Sequence, residues 1–166
     1  EVEKIHRVGS FANPGAEIII SLCPDLVLID SRLLGGCMKE LKRAGIRTYD
    51  FCPLTPDDLF SGMEEISYIA GAGEDARRLI GEMRSKAGDL ADKAKFFPSR
   101  RLLFVMEGKA LFTPGPASFQ QCVFSSLGFE LYPGARHISY TPITWEDVMR
   151  FDPEIILFCG RFPGDG

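Results

Sequence analysis

Histidine is nearly absent from this chain: there are two among 166 residues, His6 and His137. Neither lies in a pattern with a nucleophile and an acid, so no hydrolytic triad is legible. The cysteines at positions 23, 37, 52, 122 and 159 form no C-x-x-C pair and no zinc-ligand spacing. An odd number at scattered positions is a poor disulfide framework, and such thiols read first as small hydrophobes. No run of Lys or Arg occurs, and 19 Lys+Arg against 23 Asp+Glu leave a formal net charge of −4. That balance argues against nucleic acid or an anionic membrane as partner. The longest apolar stretches, such as 17–22 and 102–106, fall far short of the about 20 residues that span a bilayer. Gly71-Ala72-Gly73 lacks the Lys-Ser/Thr of a phosphate loop and follows no strand, so it reads as a break between helices. Asp57-Asp58 and Glu64-Glu65 read most simply as helix-surface charges.

Apolar residues make up 45% and charged residues 25%, the balance of a globular domain with a real core. The length fits one domain or two small lobes. The chain opens on Glu-Val-Glu-Lys rather than a basic stretch before an apolar one, so a signal segment is not legible in it. It stops soon after a strand-like run. The expectation is a piece cut from something longer.

Asn13-Pro14 predicts a helix start, with a short helix to about Leu22. The run 25–30 predicts a buried parallel strand, 34–44 a helix stopped by Gly45, and 46–51 the next strand, together a βαβ unit. Thr55-Pro56-Asp57-Asp58 opens another helix, with a capping Thr, Pro in the first turn and acids at the positive end. From Glu74, Ala76, Leu79, Ile80, Met83, Ala87, Leu90, Ala91 and Ala94 predict one apolar face of a long helix of roughly 33 Å. Strands follow at 101–106 and 154–159, with helices at 118–127 and 144–150. The expected class is α/β: two βα lobes with incomplete parallel sheets, over 1–60 and 98–166, joined by a helical bridge over 61–97.

The chain also repeats itself. Segment 10–29 matches segment 139–158 at a constant offset of 129. Ser10/Ser139, Glu17/Glu146, Pro24/Pro153 and Leu28/Leu157 are identical, and Phe11/Tyr140 is conservative. Each copy runs aromatic, loop, acidic short helix, Pro turn, apolar strand. A shared helix–Pro–strand pattern explains the apolar positions and prolines, but less well the paired aromatics and glutamates. Two similar lobes make a cleft, and ligands of α/β units bind beyond the carboxyl ends of strands.

The ordered segments Val8-Gly9-Ser10-Phe11, Pro24–Asp30, 41–60, 102–119 and 140–158 resemble the helix-bridged (class III) periplasmic substrate-binding proteins of ABC importers. The likeness is to the cobalamin, haem and ferric-siderophore types and runs over nearly the whole chain. The chain departs from that pattern in lacking the first strands of the amino-terminal lobe and the last strand and helices of the carboxy-terminal lobe. Five cysteines are also unusual for an exported protein. The resemblance implies capture of a metal chelate and its delivery to a permease, with no catalysis, no cofactor, no protein metal ligands and an extracytoplasmic location.

It further implies that Glu17 and Glu146 dock onto permease arginines, where paired carboxylates would steer association. Both also sit in helix first turns, where the dipole stabilises a carboxylate in any case. Phe11, Phe112 and Tyr140 match cleft aromatics, against the alternative of core Phe and Tyr. Asp30, Ser31 and Arg32 follow the first strand and Arg161 the last, where a ligand would lie. The two arginines suit bidentate anions, or stand solvated. Exposed sheet edges suggest a dimer. The alternative is a cytoplasmic sensor, or a metallocofactor-handling protein in which Cys52 and Cys159 bind metal.

Overall fold

The computed structural model describes residues 5–10, 13–106 and 110–160. The chain divides into two compact units, with the boundary between Cys52 and Pro53. Each is built differently.

The first unit starts with a two-strand ribbon, β1 (Gly9–Ser10) antiparallel to β2 (Asn13–Pro14). Asn13-Pro14 therefore belongs to a strand and does not open the helix. The Gly15 N–H donates back to the Val8 carbonyl at 2.6 Å, which closes the ribbon before α1 (Ala16–Ser21) begins. Gly15 is the N-cap, and among the described residues no side chain caps this helix. Next come β3 (Val27–Ile29), α2 (Ser31–Arg43) and β4 (Thr48–Asp50), with β3 and β4 parallel and Ile29 opposite Asp50. This is the expected βαβ unit.

Helix α2 starts three residues earlier than the apolar pattern predicts. The Asp30 side chain caps it by accepting the Arg32 N–H at 2.9 Å, a cap worth about 1 kcal/mol. Leu34 departs from helical angles (φ −121, ψ 28), so regular periodicity begins only beyond it. At the other end Gly45 takes φ +78. The Ile46 N–H reaches the Leu41 carbonyl and the Gly45 N–H reaches Lys42, a Schellman stop. Ile19, Ile29, Met38 and Leu41 form the core.

The second unit opens with α3 (Pro56–Ile69), where Thr55 and Asp58 form the capping box and Pro56 takes the first turn, as the sequence predicts. Helix α4 (Gly73–Ala94) follows. Among the described residues five strands make its sheet: β5 (Arg101–Met106), β6 (Leu111–Pro114), β7 (Glu130–Leu131), β8 (Tyr140–Ile143) and β9 (Ile155–Cys159). Strand β5 pairs in parallel with β9 along its length and with β7 at its start. At its end it pairs antiparallel with β6, which passes the sheet on to β8. Helices α5 (Phe119–Ser126) and α6 (Trp145–Phe151) complete the unit. Leu103, Val105, Ile143 and Val148 form its core.

The apolar face expected along α4 is only partly used. Ile80 is buried, whereas Leu79, Ala87 and Leu90 are exposed. The contact with α3 is made near mid-helix, where the Arg84 guanidinium lies 4.5 Å over the Phe60 ring and pairs with Asp57 at 3.0 Å. Beyond that point the periodicity is real but the described residues supply no cover for Leu90. Among the described residues, no helix is long and apolar enough to cross a membrane.

Candidate functional site

In the first unit, polar side chains gather at the carboxyl ends of β3 and β4. The register that sets Ile29 opposite Asp50 brings residues 30–32 beside Asp50 and Cys52. The Asp50 carboxylate accepts the Ser31 N–H at 3.0 Å, the Ser31 hydroxyl and the Cys52 thiol. The Cys52 and Ser31 bonds hold Asp50 below the usual carboxylate range. Burial, helped by the bond to Asp50, pushes the Cys52 thiol up.

Burial alone would raise Asp30, but bonds from Arg32 and Cys52 outweigh it and the net shift is down. The Arg32 guanidinium pairs with Asp30 at 3.2 Å. Ser31 and Arg32 are thus pre-oriented by two aspartates at a strand end, where α/β units present ligand groups. Asp50 is the member missing from the sequence-based set. It joins the others through register alone, because it ends the strand that runs parallel to the one before Asp30.

In the second unit the register pairs Phe112 with Pro142 and Pro114 with Tyr140. Alternation along β6 and β8 then sets Phe112 and Tyr140 on one face of the arm. Leu111 and Ile143 take the other face and pack with the core. Phe112 is half-buried and Tyr140 exposed.

The loop beneath is held tightly. The Gly115 N–H donates to the Ser139 carbonyl at 2.8 Å, and the Ser118 hydroxyl donates to the Gly115 carbonyl at 2.7 Å. A Cβ at Gly115 would stand 2.2 Å from the Ile138 carbonyl oxygen, so only glycine fits there. The aromatic arm therefore rests on a fixed turn.

Glu17 and Glu146 each occupy the first turn of a short helix and are exposed. Glu146 is held below the usual carboxylate range by its own backbone N–H and by Thr144. Phe11 and Arg161 lie outside the described residues. Among the described residues no three His, Cys, Asp or Glu side chains are grouped to hold a metal ion. An apolar hollow of about 510 Å³ in the second unit, against Leu90, Phe97, Leu127 and Ile155, contains none of the predicted site residues.

The internal repeat has a backbone signature. Only two non-glycine described residues have positive φ, Cys23 at 48 and Asp152 at 49. They are 129 positions apart, each just before the paired prolines and just after the paired helices. The offset read from side chains is thus reproduced in the chain's path.

No protein-family model matches the chain. It is 26% identical over 170 residues to the uncharacterized ABC transporter substrate-binding lipoprotein YvrC of Bacillus subtilis (strain 168), covering 95% of this chain and 52% of that protein. A vitamin B12-binding protein of Yersinia pestis (strain Pestoides F) is 24% identical over 162 residues, covering 95% and 57%. The crystal structure of the periplasmic vitamin B12 binding protein BtuF of Vibrio cholerae superposes with a TM-score of 0.83 at 20% identity, over 94% of this chain and 62% of that one.

The chain has the fold of the class III periplasmic binding proteins.

The haem-binding protein HutB of Vibrio cholerae shares that fold at a TM-score of 0.71 and 21% identity, over 95% and 62% of the two chains. The siderophore-binding protein BauB does so at 0.70 and 21%, over 91% and 55%. The resemblance read from the sequence therefore holds across nearly the whole chain. The chain spans about half the length of the curated relatives it matches.

Proposed function

We propose that this chain is the substrate-binding part of an ABC importer, which captures a metal chelate and delivers it to a membrane permease. The chelate is a ferric siderophore, haem or cobalamin, bound as a whole complex at an extracytoplasmic location and without catalysis. Phe11, Phe112 and Tyr140 supply flat contact area at little entropic cost, and Asp30, Ser31, Arg32 and Arg161 supply polar contacts. Glu17 and Glu146 dock the permease, and the 61–97 helical segment bridges the lobes.

The observation that carries the reading is the repeated unit itself: two exposed glutamates at equivalent places on two short helices, in a chain with the binding-protein fold. Neither glutamate is needed for the core, and paired carboxylates on separate units suit a partner that offers two cations. The cysteine-metal alternative is not favoured, because a thiol donating to Asp50 and raised by burial is a poor thiolate ligand.

The test is uptake of labelled chelate by cells whose only copy of the gene encodes Glu17→Lys and Glu146→Lys in the full-length protein. Uptake is expected to fall to the level of the deletion strain, while the purified variant binds chelate like wild type. Undiminished uptake would overturn the docking role and favour a sensor.

A further inference from the structure

Helix α6 shows solvent a surface that its core contacts do not require. At 100° per residue, Val148 and Phe151 fall on one side and pack with the core. Trp145, Glu146, Met149 and Arg150 fall within a single arc of about 140° on the other side. In that arc Trp145 is 66% and Met149 71% exposed. Trp145 is the only tryptophan in the chain, and Met149 stands one turn along from it.

The acidic side chains of this helix are unequally engaged, and Asp147 lies outside the arc. Asp147 is engaged by its own helix: it accepts from the Thr144 N–H and hydroxyl, each at 2.9 Å, and pairs with Arg150 at 3.6 Å. Glu146 is held only by its own backbone N–H and by Thr144 and makes no ion pair within 4.0 Å among the described residues. The capping box fixes this first turn, so Trp145 and Glu146 are presented on a rigid backbone.

The equivalent helix of the first unit exposes less apolar surface, with Ile18 at 41% beside Glu17 and Leu22 at 48% just past the helix end. At the offset of 129, Trp145 corresponds to Ala16, which is buried, and Met149 corresponds to Ile20, which is half-buried. The two copies keep the glutamate and differ in what stands beside it.

We infer that Trp145 and Met149 are the apolar anchor of a docking patch centred on Glu146, facing a permease surface that offers a cation to the carboxylate and an apolar socket to the two side chains. This rests on the docking reading proposed above and deepens it. A large, stiff aromatic beside an unpaired charge is the composition of an interface hot spot. Docking is accordingly asymmetric, with the second unit contributing more of the affinity than the first.

The experiment measures binding of the chelate-loaded full-length protein to nanodisc-embedded ABC permease complexes of the source organism. Wild type is compared with Trp145→Ala, Met149→Ala, Glu146→Gln and Glu17→Gln. Trp145→Ala is expected to weaken docking at least about tenfold, and Met149→Ala by a smaller factor, with chelate affinity and melting temperature unchanged. If the glutamate variants weaken docking and the two anchor variants do not, the patch is wrong and the docking reading stands. If Trp145→Ala instead weakens chelate binding, the side chain belongs to the ligand site and the inference fails. If no complex binds the wild type, or no variant weakens binding, both readings fall together.

Discussion

Three donors converge on the Asp50 carboxylate: the Ser31 N–H, the Ser31 hydroxyl and the Cys52 thiol. They favour the ionised form, so its folded-state pKa lies below the unfolded one. A carboxylate depressed in this way contributes stability that is fully present above its ordinary pKa and is lost as pH falls through the folded value. Asp50→Asn is therefore expected to lower the urea midpoint at neutral pH, with the gap from wild type narrowing between about pH 5 and pH 3. A constant gap over that range would show that the ionised form is not what the three bonds stabilise. At this scale the sequence was half informative. Asp30, Ser31 and Arg32 were legible because they directly follow an apolar strand. Asp50 and Cys52 join them only through strand register, across 19 and 21 residues of chain, and no local pattern encodes that.

At the scale of elements, the helices and the strands β3, β4, β5 and β9 followed from periodicity and caps, whereas the short strands β1, β2, β6, β7 and β8 carry no periodicity of their own and were not predicted. Asn13-Pro14 has the composition of a helix start, yet the Gly15–Val8 bond makes it a strand end. The long apolar face of α4 was legible, but its burial depends on what packs there, and only Ile80 is buried along it. The repeat was the most reliable signal, because it reappears as two left-handed residues, Cys23 and Asp152. Asp152 is held in that conformation by Arg101, which donates to its carbonyl and its carboxylate, whereas Cys23 sets only a long thiol contact to the Ser21 carbonyl against a steric penalty of about 1–2 kcal/mol. Glycine would remove the penalty and restore roughly half of it as backbone entropy. Cys23→Gly is thus expected to stabilise the protein by about 0.5–1 kcal/mol in denaturant titration. A destabilised variant would mean that the Cys23 side chain makes a contact worth more than the strain.

At the scale of the whole molecule, sequence and fold point the same way over nearly the full chain, while the relatives extend well beyond its length. The fold was legible through ordered segments rather than any single motif, since no family model matches. The identity of the ligand was not legible. Specificity in such a site resides in a few side chains on loops, which differ between proteins of one fold. The proposed function requires that the full-length protein bind a metal chelate through its aromatic side chains. Calorimetric titration of that protein with cobalamin, haemin and ferric siderophores, beside Tyr140→Ala, is the decisive test. One chelate class is expected to bind at one to one, with the substitution weakening it by about tenfold, or roughly 1.4 kcal/mol. Heat of dilution alone, for every chelate and for both proteins, would contradict the claim.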